Sequence, residues 1–517
     1  MKKILASPWL LVLPALVFFS WRLASWDFVV DDAYISFRYA KHFSEGQGLV
    51  FNPGEAPVEG YTNFLWTLLM AGAPRLGLSF VAWARALGIA SALAAAALAA
   101  MLAAHCIHKC SNDSRKLDVR WSALAAALIL INAPMVLWAG AGLEGPLLAL
   151  LLSGAVLFAL RCYNDPGCGA TLGASLYLVL LSLCRPEATV LATLIGVFLL
   201  FQPKTEATSR FSRIVPIVAV IGVGAVYHAW RYKMYGDWLP NTFYAKVGFS
   251  LEQLARGGGY LWSYFGNPGG LLAVVLAVLG IRGLGGRPER ILVPGLILAS
   301  LSMTAVVGGD ALPMYRFLVP VVPLLAVLMA LGVAEVVSSL SAGRSPFALR
   351  EGWLVVVVLA VSQLLPAFVG RQAEYVRVDR ERMRDRVAIG RWLREHYPES
   401  TIALNAAGAI PFVSGMKAID MLGLNDRHIA RKTIEALGQG VAGHEKHDAE
   451  YVLSRRPEII FIGRNELTLQ PGKAFIWLEG DRQLLSHPKI HSDYRLVKQP
   501  IQYEFFSFYL RKDVPLP

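Results

Sequence analysis

The sequence predicts a polytopic α-helical membrane protein with a small soluble α/β domain at its C-terminal end. Hydrophobic residues make up 55% of the 517 residues, charged residues only 17%, and the mean hydropathy is +0.48. This composition is typical of a chain that crosses a bilayer several times and excludes an ordinary soluble enzyme. The apolar character ends near residue 370, where a more charged tail begins.

About eleven segments are apolar over roughly the 20 residues that a membrane-crossing helix needs. These segments are 8–27, 79–104, 121–139, 145–161, 170–184, 187–202, 213–230, 260–281, 291–307, 317–339 and 353–370. The first resembles a signal peptide, but no small-residue cleavage site precedes Asp31, so we interpret it as an uncleaved span. The short apolar piece 62–74 is interpreted as a re-entrant or interfacial helix.

Basic residues predict the orientation of these spans. With the N-terminus in the cytoplasm, the loops on that side contain Lys109, Arg115, Lys116, Arg120, Arg161, Lys204, Arg210, Arg213, Arg282, Arg287, Arg290, Arg344 and Arg350. This asymmetry follows the positive-inside rule, so the net charge of +12 indicates orientation in a bilayer. No nucleic-acid-binding motif accompanies it, and nucleic acid is excluded as a partner. The odd number of spans predicts a periplasmic C-terminal tail.

The predicted division is therefore a transmembrane domain at 1–370, with its first external loop at 28–78, and an α/β domain at 371–517. The tail opens with the charged, helix-like run 371–397. TIALNAAGAIPFVSG then predicts a strand, a glycine turn and a short helix. A further strand is predicted at 457–464, and residues 491–511 suggest a hairpin.

The acid pair Asp31-Asp32 stands where the first span leaves the membrane. Two acids at such a boundary are costly unless they are solvated, paired or functional. Adjacent carboxylates raise each other's pKa, so one can accept a proton while the other stays ionised. The structural alternative, in which Asp32 caps the helix AYISFRYAKHF, is compatible with this role. We take Asp31 and Asp32 as candidate catalytic residues, one of which would accept a proton.

Basic side chains on the external side are candidates for holding an anionic ligand. A guanidinium suits a phosphate because its donors form a fork. The alternative for each is an anchor that reaches the membrane interface. The candidate phosphate-binding residues are Arg185, Arg316, Lys246 and Arg38. No residues have the spacing of a metal-binding motif, although the abundant carboxylates could bind a divalent cation.

Other external residues have both a binding and a structural interpretation. Tyr61 and Tyr244 could stack on a sugar ring or belong to the aromatic belt of the membrane. Asn241 follows a proline and suits a turn. Glu144 and Glu187 could pair with the arginines or bind a hydroxylated substrate. The alternative for the GHEK segment at 443–446 is a solvated polar loop.

An ordered set of motifs carries a family resemblance. DDAYISFRYA, GLVFNPGE, VEGYTNFLW, GLEGPL, RPEA, WLPNTFYAK, GGDALPMYRFLVP, DMLGLNDRHIAR and GHEK follow one another between about residues 31 and 465. Together they resemble the AftB-type arabinofuranosyltransferases, GT-C-fold glycosyltransferases that use polyprenyl-phosphate sugars. Gly145 stands where that family's pattern has a hydroxyl residue, so the resemblance implies no polar contact there.

The resemblance implies an inverting transfer of arabinofuranose from a polyprenyl-phosphate donor to a glycan or protein hydroxyl, outside the bacterial inner membrane. An acid of the first external loop would act as the base, which carries over to Asp31 or Asp32. No nucleotide is needed because the sugar arrives activated. The implied substrate-binding residues are Glu59, Tyr61, Glu144, Glu187, Asn241, Tyr244, Asp310, His444 and Lys446.

Two alternatives remain open at the level of sequence. A GT-C relative could transfer another sugar, such as mannose or aminoarabinose, to protein or lipid. A lipid-linked glycan flippase would also have many spans and intramembrane charge. Transporters commonly show internal repeats, and none is visible here. The clustering of polar motifs on one side favours an enzyme.

Overall fold

The computed structural model describes residues 8–27, 29–110, 119–165, 167–201, 210–342, 348–434, 437–470, 476, 478–501 and 503–517. Of the basic residues used for orientation, Arg115, Lys116, Lys204 and Arg344 lie outside the described residues. The described chain divides into two compact units. Unit 1 comprises Met1–Asp27, Ala84–Tyr227 and Gly257–Val376, and unit 2 comprises Phe28–Trp83, His228–Arg256 and Arg377–Pro517.

The helices and strands follow in chain order. The first helices are α1 (Trp9–Ser25), α2 (Asp31–Ser44), α3 (Phe64–Met70), α4 (Phe80–Cys110), α5 (Val119–Ile131), α6 (Ala133–Gly140), α7 (Gly145–Asn164), α8 (Cys168–Cys184), α9 (Pro186–Leu200), α10 (Arg210–Tyr235) and α11 (Asn241–Lys246). They are followed by α12 (Leu251–Phe265), α13 (Pro268–Gly280), α14 (Arg287–Val306), α15 (Val322–Ala342), α16 (Ala348–Leu364) and α17 (Arg371–His396). The remaining elements are β1 (Thr401–Leu404), α18 (Ala409–Ser414), β2 (Lys417–Asp420), α19 (Arg427–Arg431), α20 (Ala449–Ser454), β3 (Ile459–Ile460), α21 (Glu479–Ser486), α22 (Pro488–Asp493), β4 (Tyr494–Ile501) and β5 (Glu504–Arg511). Short 3-10 helices occupy Pro74–Leu76, Arg316–Val321 and Leu365–Ala367.

The described residues contain 6 helices that are long and apolar enough to cross a membrane. Two bent pairs, α5 with α6 at 59° and α12 with α13 at 89°, raise the number to 8 if each pair is one span. Three further apolar helices, α1, α8 and α9, are shorter. The chain is a polytopic membrane protein, as predicted, and the count of eleven spans stays a prediction.

The bend between α5 and α6 has a local cause. Asn132 ends the first helix and caps the next, because its side chain accepts a hydrogen bond from the Met135 amide at 3.1 Å. Pro134 occupies the first turn of α6, where its missing N–H costs nothing. A proline there also prevents the preceding helix from continuing straight through this point.

Small residues allow close helix packing in unit 1. A Cβ on Gly280 of α13 would lie 1.9 Å from the carbonyl oxygen of Leu328 in α15. A Cβ on Gly332 of α15 would lie 2.0 Å from the carbonyl oxygen of Leu276. Backbones can approach this closely only where side chains are absent, which is the common way that helices associate in membranes.

Unit 2 contains a five-stranded mixed sheet with the order β2-β1-β3-β5-β4. β1 runs parallel to β2 and β3, whereas β5 is antiparallel to both β3 and β4. The predicted strand, turn and helix at TIALNAAGAIPFVSG are confirmed by β1 and α18, and the predicted hairpin by β4 and β5. The long helix predicted at the start of the tail is confirmed by α17.

The C-terminal residues do not form a compact unit by themselves. Residues 28–83 and 228–256 belong to the same unit, a grouping that the predicted boundary at residue 370 did not anticipate. The physical reason is a shared core, in which apolar side chains from three chain segments bury one another. This core includes Ile35, Tyr39, Leu49, Phe51, Tyr61, Tyr235, Ile389, Ile402, Ile410, Phe461 and Phe506.

Candidate active site

The candidate site is built around the first turn of α2, in unit 2. Asp31 opens this helix, and its two carboxylate oxygens accept hydrogen bonds from the backbone amides of Gly408 at 3.1 Å and Ala409 at 3.0 Å. Nη1 of Arg386 lies 3.3 Å from Oδ1 of the same carboxylate. Asp31 therefore fastens α2 to the start of α18 and to α17, and both of its oxygens are engaged.

A glycine makes this approach possible. A Cβ on Gly408 would lie 2.0 Å from the carbonyl oxygen of Asp31 and 2.8 Å from its Cγ. No side chain larger than hydrogen fits there without moving one of the two segments. The glycine turn predicted between β1 and α18 thus has a specific purpose, because it brings two amides onto an acid of the first external loop.

Asp32 follows on the next position of α2, and its side chain is half-buried. The charges of Asp32, Lys246 and Arg386 all act on the imidazole of His444. The structure therefore brings together four charged or titratable groups from four separate chain segments. Three of them, Asp32, Lys246 and His444, are sequence-predicted site residues.

The state of His444 follows from its surroundings. Burial lowers its pKa, the charges of Lys246 and Arg386 lower it further, and the charge of Asp32 opposes them. The ring is therefore neutral at pH 7. Its Nδ1 lies 3.0 Å from the carbonyl oxygen of Ala442, and a carbonyl only accepts, so Nδ1 carries the proton. The basic lone pair then lies on Nε2.

Lys246 reaches this cluster from the end of α11. Its Cε lies 2.8 Å from the position that a Cβ on Gly443 would take, so the lysine packs directly against the turn that precedes His444. The start of α11 is fastened by Asn241, whose side-chain amide donates to the carbonyls of Gly423, Leu424 and Asp426 at 2.8, 3.0 and 3.2 Å. Asn241 thus positions the helix through its side-chain nitrogen, and its predicted contact with substrate stays a prediction.

Arg38, a predicted phosphate ligand, is buried among protein acceptors, and its role toward phosphate stays a prediction. Its side chain is 2% exposed and lies 4.8 Å from the Phe51 ring centre. All three guanidinium nitrogens donate to protein oxygens, namely the carbonyls of Phe51, Pro411 and Met416 and the side chain of Asn52. Burial lowers its pKa to about 10. Arg38 ties α2 to neighbouring loops.

Glu59 and Tyr61 each have a protein partner, and their predicted contact with substrate stays a prediction. Oε2 of Glu59 lies 2.9 Å from Nε of Arg231, and both side chains are buried. Arg231 thereby has a carboxylate partner. The hydroxyls of Tyr61 and Tyr235 are 3.0 Å apart in the core of unit 2.

Lys446 and Tyr244 have protein partners as well. The buried ammonium of Lys446 donates to the carbonyls of Ala430 at 2.8 Å and Lys432 at 2.7 Å. The ammonium thus holds the end of α19 and the chain after it, and its predicted role in substrate binding stays a prediction. The ring of Tyr244 lies 4.3 Å from the guanidinium carbon of Arg431.

The remaining predicted residues belong to unit 1 and form two ion-pair groups. Arg185 pairs with both Glu144 and Glu187. Arg316 is held by Asp310 through two contacts, at 2.8 and 3.0 Å. Both groups confirm that acids accompany the arginines in this region. The convergence of these arginines with Asp31 and Asp32 over one pocket stays a prediction.

Two site residues were missed at the level of sequence. Arg386 lies in the charged run of α17, where alternating charges usually mark a solvated helix face, and nothing distinguishes it from its neighbours. Gly408 belongs to a turn that was predicted, but its acidic partner lies far away in the chain. Among the described residues, no group of three or more His, Cys, Asp or Glu side chains could hold a metal ion.

Residues 373–513 match a family model described as a domain of unknown function (DUF8728). The chain is similar to the terminal β-(1→2)-arabinofuranosyltransferase of Mycobacterium tuberculosis, with 30% identity over 254 residues. That match covers 46% of this chain and 38% of the relative, so it spans well under half of the relative's length. The resemblance to the AftB-type enzymes is thereby confirmed.

The fold matches a solved structure along nearly its whole length. ArnT from Cupriavidus metallidurans bound to undecaprenyl phosphate is 14% identical, and the superposition covers 98% of each chain with a TM-score of 0.58. The apo state of the same protein gives a TM-score of 0.58 with 97% of each chain covered. At this identity the match establishes the fold, which is the GT-C fold that the sequence predicted.

Proposed function

We propose that this protein is an inverting glycosyltransferase that moves arabinofuranose from a polyprenyl-phosphate donor to a hydroxyl of an acceptor on the periplasmic side of the bacterial inner membrane. One observation carries the proposal. Asp31 is held by two amides and Arg386, and the charges of the adjacent Asp32 and of Lys246 both act on a neutral His444 in the same unit.

The names of the similar proteins support this reading. The curated relative is named as an arabinofuranosyltransferase, which favours a pentose as the sugar. The solved structure with the same fold was crystallised with undecaprenyl phosphate, which favours a lipid-linked phosphate as the leaving group. An N-terminus in the cytoplasm and an external unit 2 agree with the distribution of basic loop residues.

Asp32 is the proposed base. Both oxygens of Asp31 already accept hydrogen bonds, so Asp31 serves as the anchor that orients the helix start. Asp32 accepts the proton of the acceptor hydroxyl as that oxygen forms a bond to the anomeric carbon. The bond from the anomeric carbon to the phosphate oxygen breaks from the opposite face, and the electron pair leaves with the polyprenyl phosphate.

Lys246 and His444 have separate proposed roles. The ammonium of Lys246 stabilises the negative charge that develops on the phosphate as the bond breaks. His444, neutral and with its lone pair on Nε2, accepts a hydrogen bond from a sugar hydroxyl and thereby orients the ring. For Arg185 and Arg316, binding of the donor phosphate remains a prediction made from the sequence.

The test uses the full-length protein in lipid nanodiscs with a panel of polyprenyl-phosphate sugars. We expect release of polyprenyl phosphate from the arabinofuranose donor and not from the mannose or aminoarabinose donors. Asp32→Asn should fold and bind donor normally and lose transfer by at least about 100-fold, the usual scale for removing a general base. Repeating the transfer assay in the presence of EDTA tests whether transfer depends on a divalent cation.

Two results would contradict the proposal. Normal transfer by Asp32→Asn would remove the assigned base. Movement of an intact lipid-linked sugar across the bilayer without release of lipid phosphate would identify a flippase. Transfer from a different donor on the panel would keep the mechanism and correct the sugar.

A further inference from the structure

Unit 2 contains a cleft of about 870 Å³ that the proposed chemistry does not use. It is lined by the loop at 51–58, by residues 425–432 around α19, and by residues of α20 and its flanks. The volume lies within the range of sites that bind small molecules or short oligomers. The motif DMLGLNDRHIAR supplies much of one wall, and the mechanism assigns that motif no role.

The cations that line this cleft have carboxylate partners. Asp237 pairs with both Arg427 and Arg431, and Nζ of Lys432 lies 2.9 Å from Oδ2 of Asp448. A site for phosphate or another anion needs positive charge that the protein has not already neutralised. The charge balance of this wall therefore argues against an anionic ligand.

Arg455 also has partners in the lining of the cleft. Its Nη2 lies 3.2 Å from Oε1 of Glu55, and its Nη1 also donates to the hydroxyl of Tyr451 at 2.8 Å. The lining thus contains donors and acceptors that hold one another in position. Sugar hydroxyls both donate and accept, so a fixed set of paired carboxylates and guanidiniums complements a polyol.

An aromatic surface completes the cleft. The imidazole of His428 stacks on the ring of Tyr451, with ring centres 4.0 Å apart and planes 13° apart. Nε2 of His428 lies 3.1 Å from Oδ2 of Asp448, and the hydroxyl of Tyr451 donates to Asp426 at 3.0 Å. The His428 side chain is 52% exposed, so the ring offers an open flat face that its neighbours hold still.

We propose that this cleft binds the acceptor as an uncharged oligosaccharide, with a sugar ring stacked on His428 and its hydroxyls bonded to the paired charged side chains. This inference rests on the proposed function and narrows the acceptor from a glycan or protein hydroxyl to a glycan. The cleft would bind sugars of the oligosaccharide that lie away from its reacting end, so this part of the acceptor affinity would not depend on Asp32.

The test measures binding of a short neutral arabinofuranose oligosaccharide to the full-length protein in nanodiscs by calorimetry. His428→Ala should weaken binding about tenfold, the scale of a lost ring contact. His428→Phe should restore most of the affinity, because phenylalanine keeps the flat face without the ring nitrogens. His396→Ala is the matched control, since this exposed histidine also stacks on an aromatic ring, at 4.2 Å from Trp392.

The outcomes separate this inference from the proposed function. Asp32→Asn should bind the oligosaccharide normally and transfer nothing. If His428→Ala bound the oligosaccharide as tightly as the parent protein, the assignment of the cleft as the acceptor site would be overturned. Sugar transfer by the parent protein would still support the proposed glycosyltransferase activity. Preferential binding of inorganic phosphate, or of a serine- and threonine-rich peptide, at this cleft would also overturn the assignment.

Discussion

Asp31 and Arg386 form an ion pair in unit 2, with Oδ1 of the acid 3.3 Å from Nη1 of the arginine. Their side chains are 14% and 13% exposed. The pair links the first turn of α2 to the middle of α17. It gives Asp31 a structural task.

The first prediction concerns the energy of this link. In a double-mutant cycle, Asp31→Asn and Arg386→Gln should each lower the free energy of unfolding, with a coupling of about 1–2 kcal/mol. The reason is that either single change leaves the other charge without its partner. Denaturant unfolding of unit 2 in detergent, followed by tryptophan fluorescence, measures the coupling.

An exposed pair provides the control for this cycle. Arg377 and Glu381 are about three-fifths exposed and 3.5 Å apart, and their coupling should be about 0.5 kcal/mol or less. Additive effects of Asp31→Asn and Arg386→Gln, within error, would show that the contact stabilises nothing.

The second prediction concerns Arg38. Arg38→Lys should lower the free energy of unfolding by about 2–4 kcal/mol, because an ammonium cannot replace a fork that reaches several buried carbonyls. Donor affinity of the protein that remains folded should not change, since Arg38 holds the loops and not the phosphate. Thermal unfolding and donor binding are measured on the same sample.

Lys41→Ala, on the same helix, is the control for Arg38→Lys. Its half-buried side chain should leave thermal stability nearly unchanged. A folded Arg38→Lys variant that has lost donor binding would restore the phosphate role predicted from sequence.

The third prediction concerns pH. Burial holds the pKa of His444 below its ordinary value of 6.5, so the unfolded state binds more protons near that value than the folded state does. Stability that depends on neutral His444 is therefore present above about pH 6.5 and is lost as pH falls through the folded pKa. Compared with His444→Gln, the parent protein should lose more thermal stability between pH 7.5 and pH 5.

Taking the difference between parent and variant removes the contribution of other groups. His42, whose pKa burial also lowers, and Asp420, whose pKa burial raises to about 6, are present in both proteins and cancel. Identical pH profiles for the two proteins would mean that His444 titrates alike in the folded and unfolded states.

The fourth prediction concerns Arg316 and Asp310 in unit 1. Arg316→Ala leaves a nearly buried carboxylate unpaired and should destabilise the protein by about 3–5 kcal/mol. Adding Asp310→Ala should recover most of that stability, because the unpaired charge is gone. If Arg316 binds the donor phosphate, donor affinity should stay low in the double variant.

This pair of variants separates folding from binding. Recovery of both stability and donor affinity in the double variant would leave Arg316 with a structural role only. Thermal unfolding and donor titration in nanodiscs measure the two quantities independently.

The elements of this protein that were predicted well have local causes. Helix α17 follows from a run of strong helix formers, and the β4–β5 hairpin from alternating residues, so both are visible within short windows. The number of membrane-spanning helices was harder to predict, because α5 and α6 meet at a bend and α8 and α9 are short. The core shared by residues 28–83 with the C-terminal residues involves separations that no local pattern encodes.

The predicted site residues also differ in whether local sequence or distant packing determines their surroundings. Asp32, His444 and Lys246 were marked by residue type and motif, and the structure brings them together. Arg38 and Asn241 had the same kind of sequence signal, but packing surrounds them with backbone carbonyls. A polar residue in a motif can bind a ligand or hold the fold together, and the number of its buried partners distinguishes the two roles.

The sequence alone determined that the chain enters a membrane repeatedly and that two acids follow the first span, since hydrophobicity and charge are properties of consecutive residues. Tertiary structure decided which groups hold Asp31 and which arginines pair with acids. The partners of Asp31, Arg38 and Arg316 come from carbonyls, amides and acids whose proximity depends on how distant segments pack, and no single stretch of sequence specifies that packing.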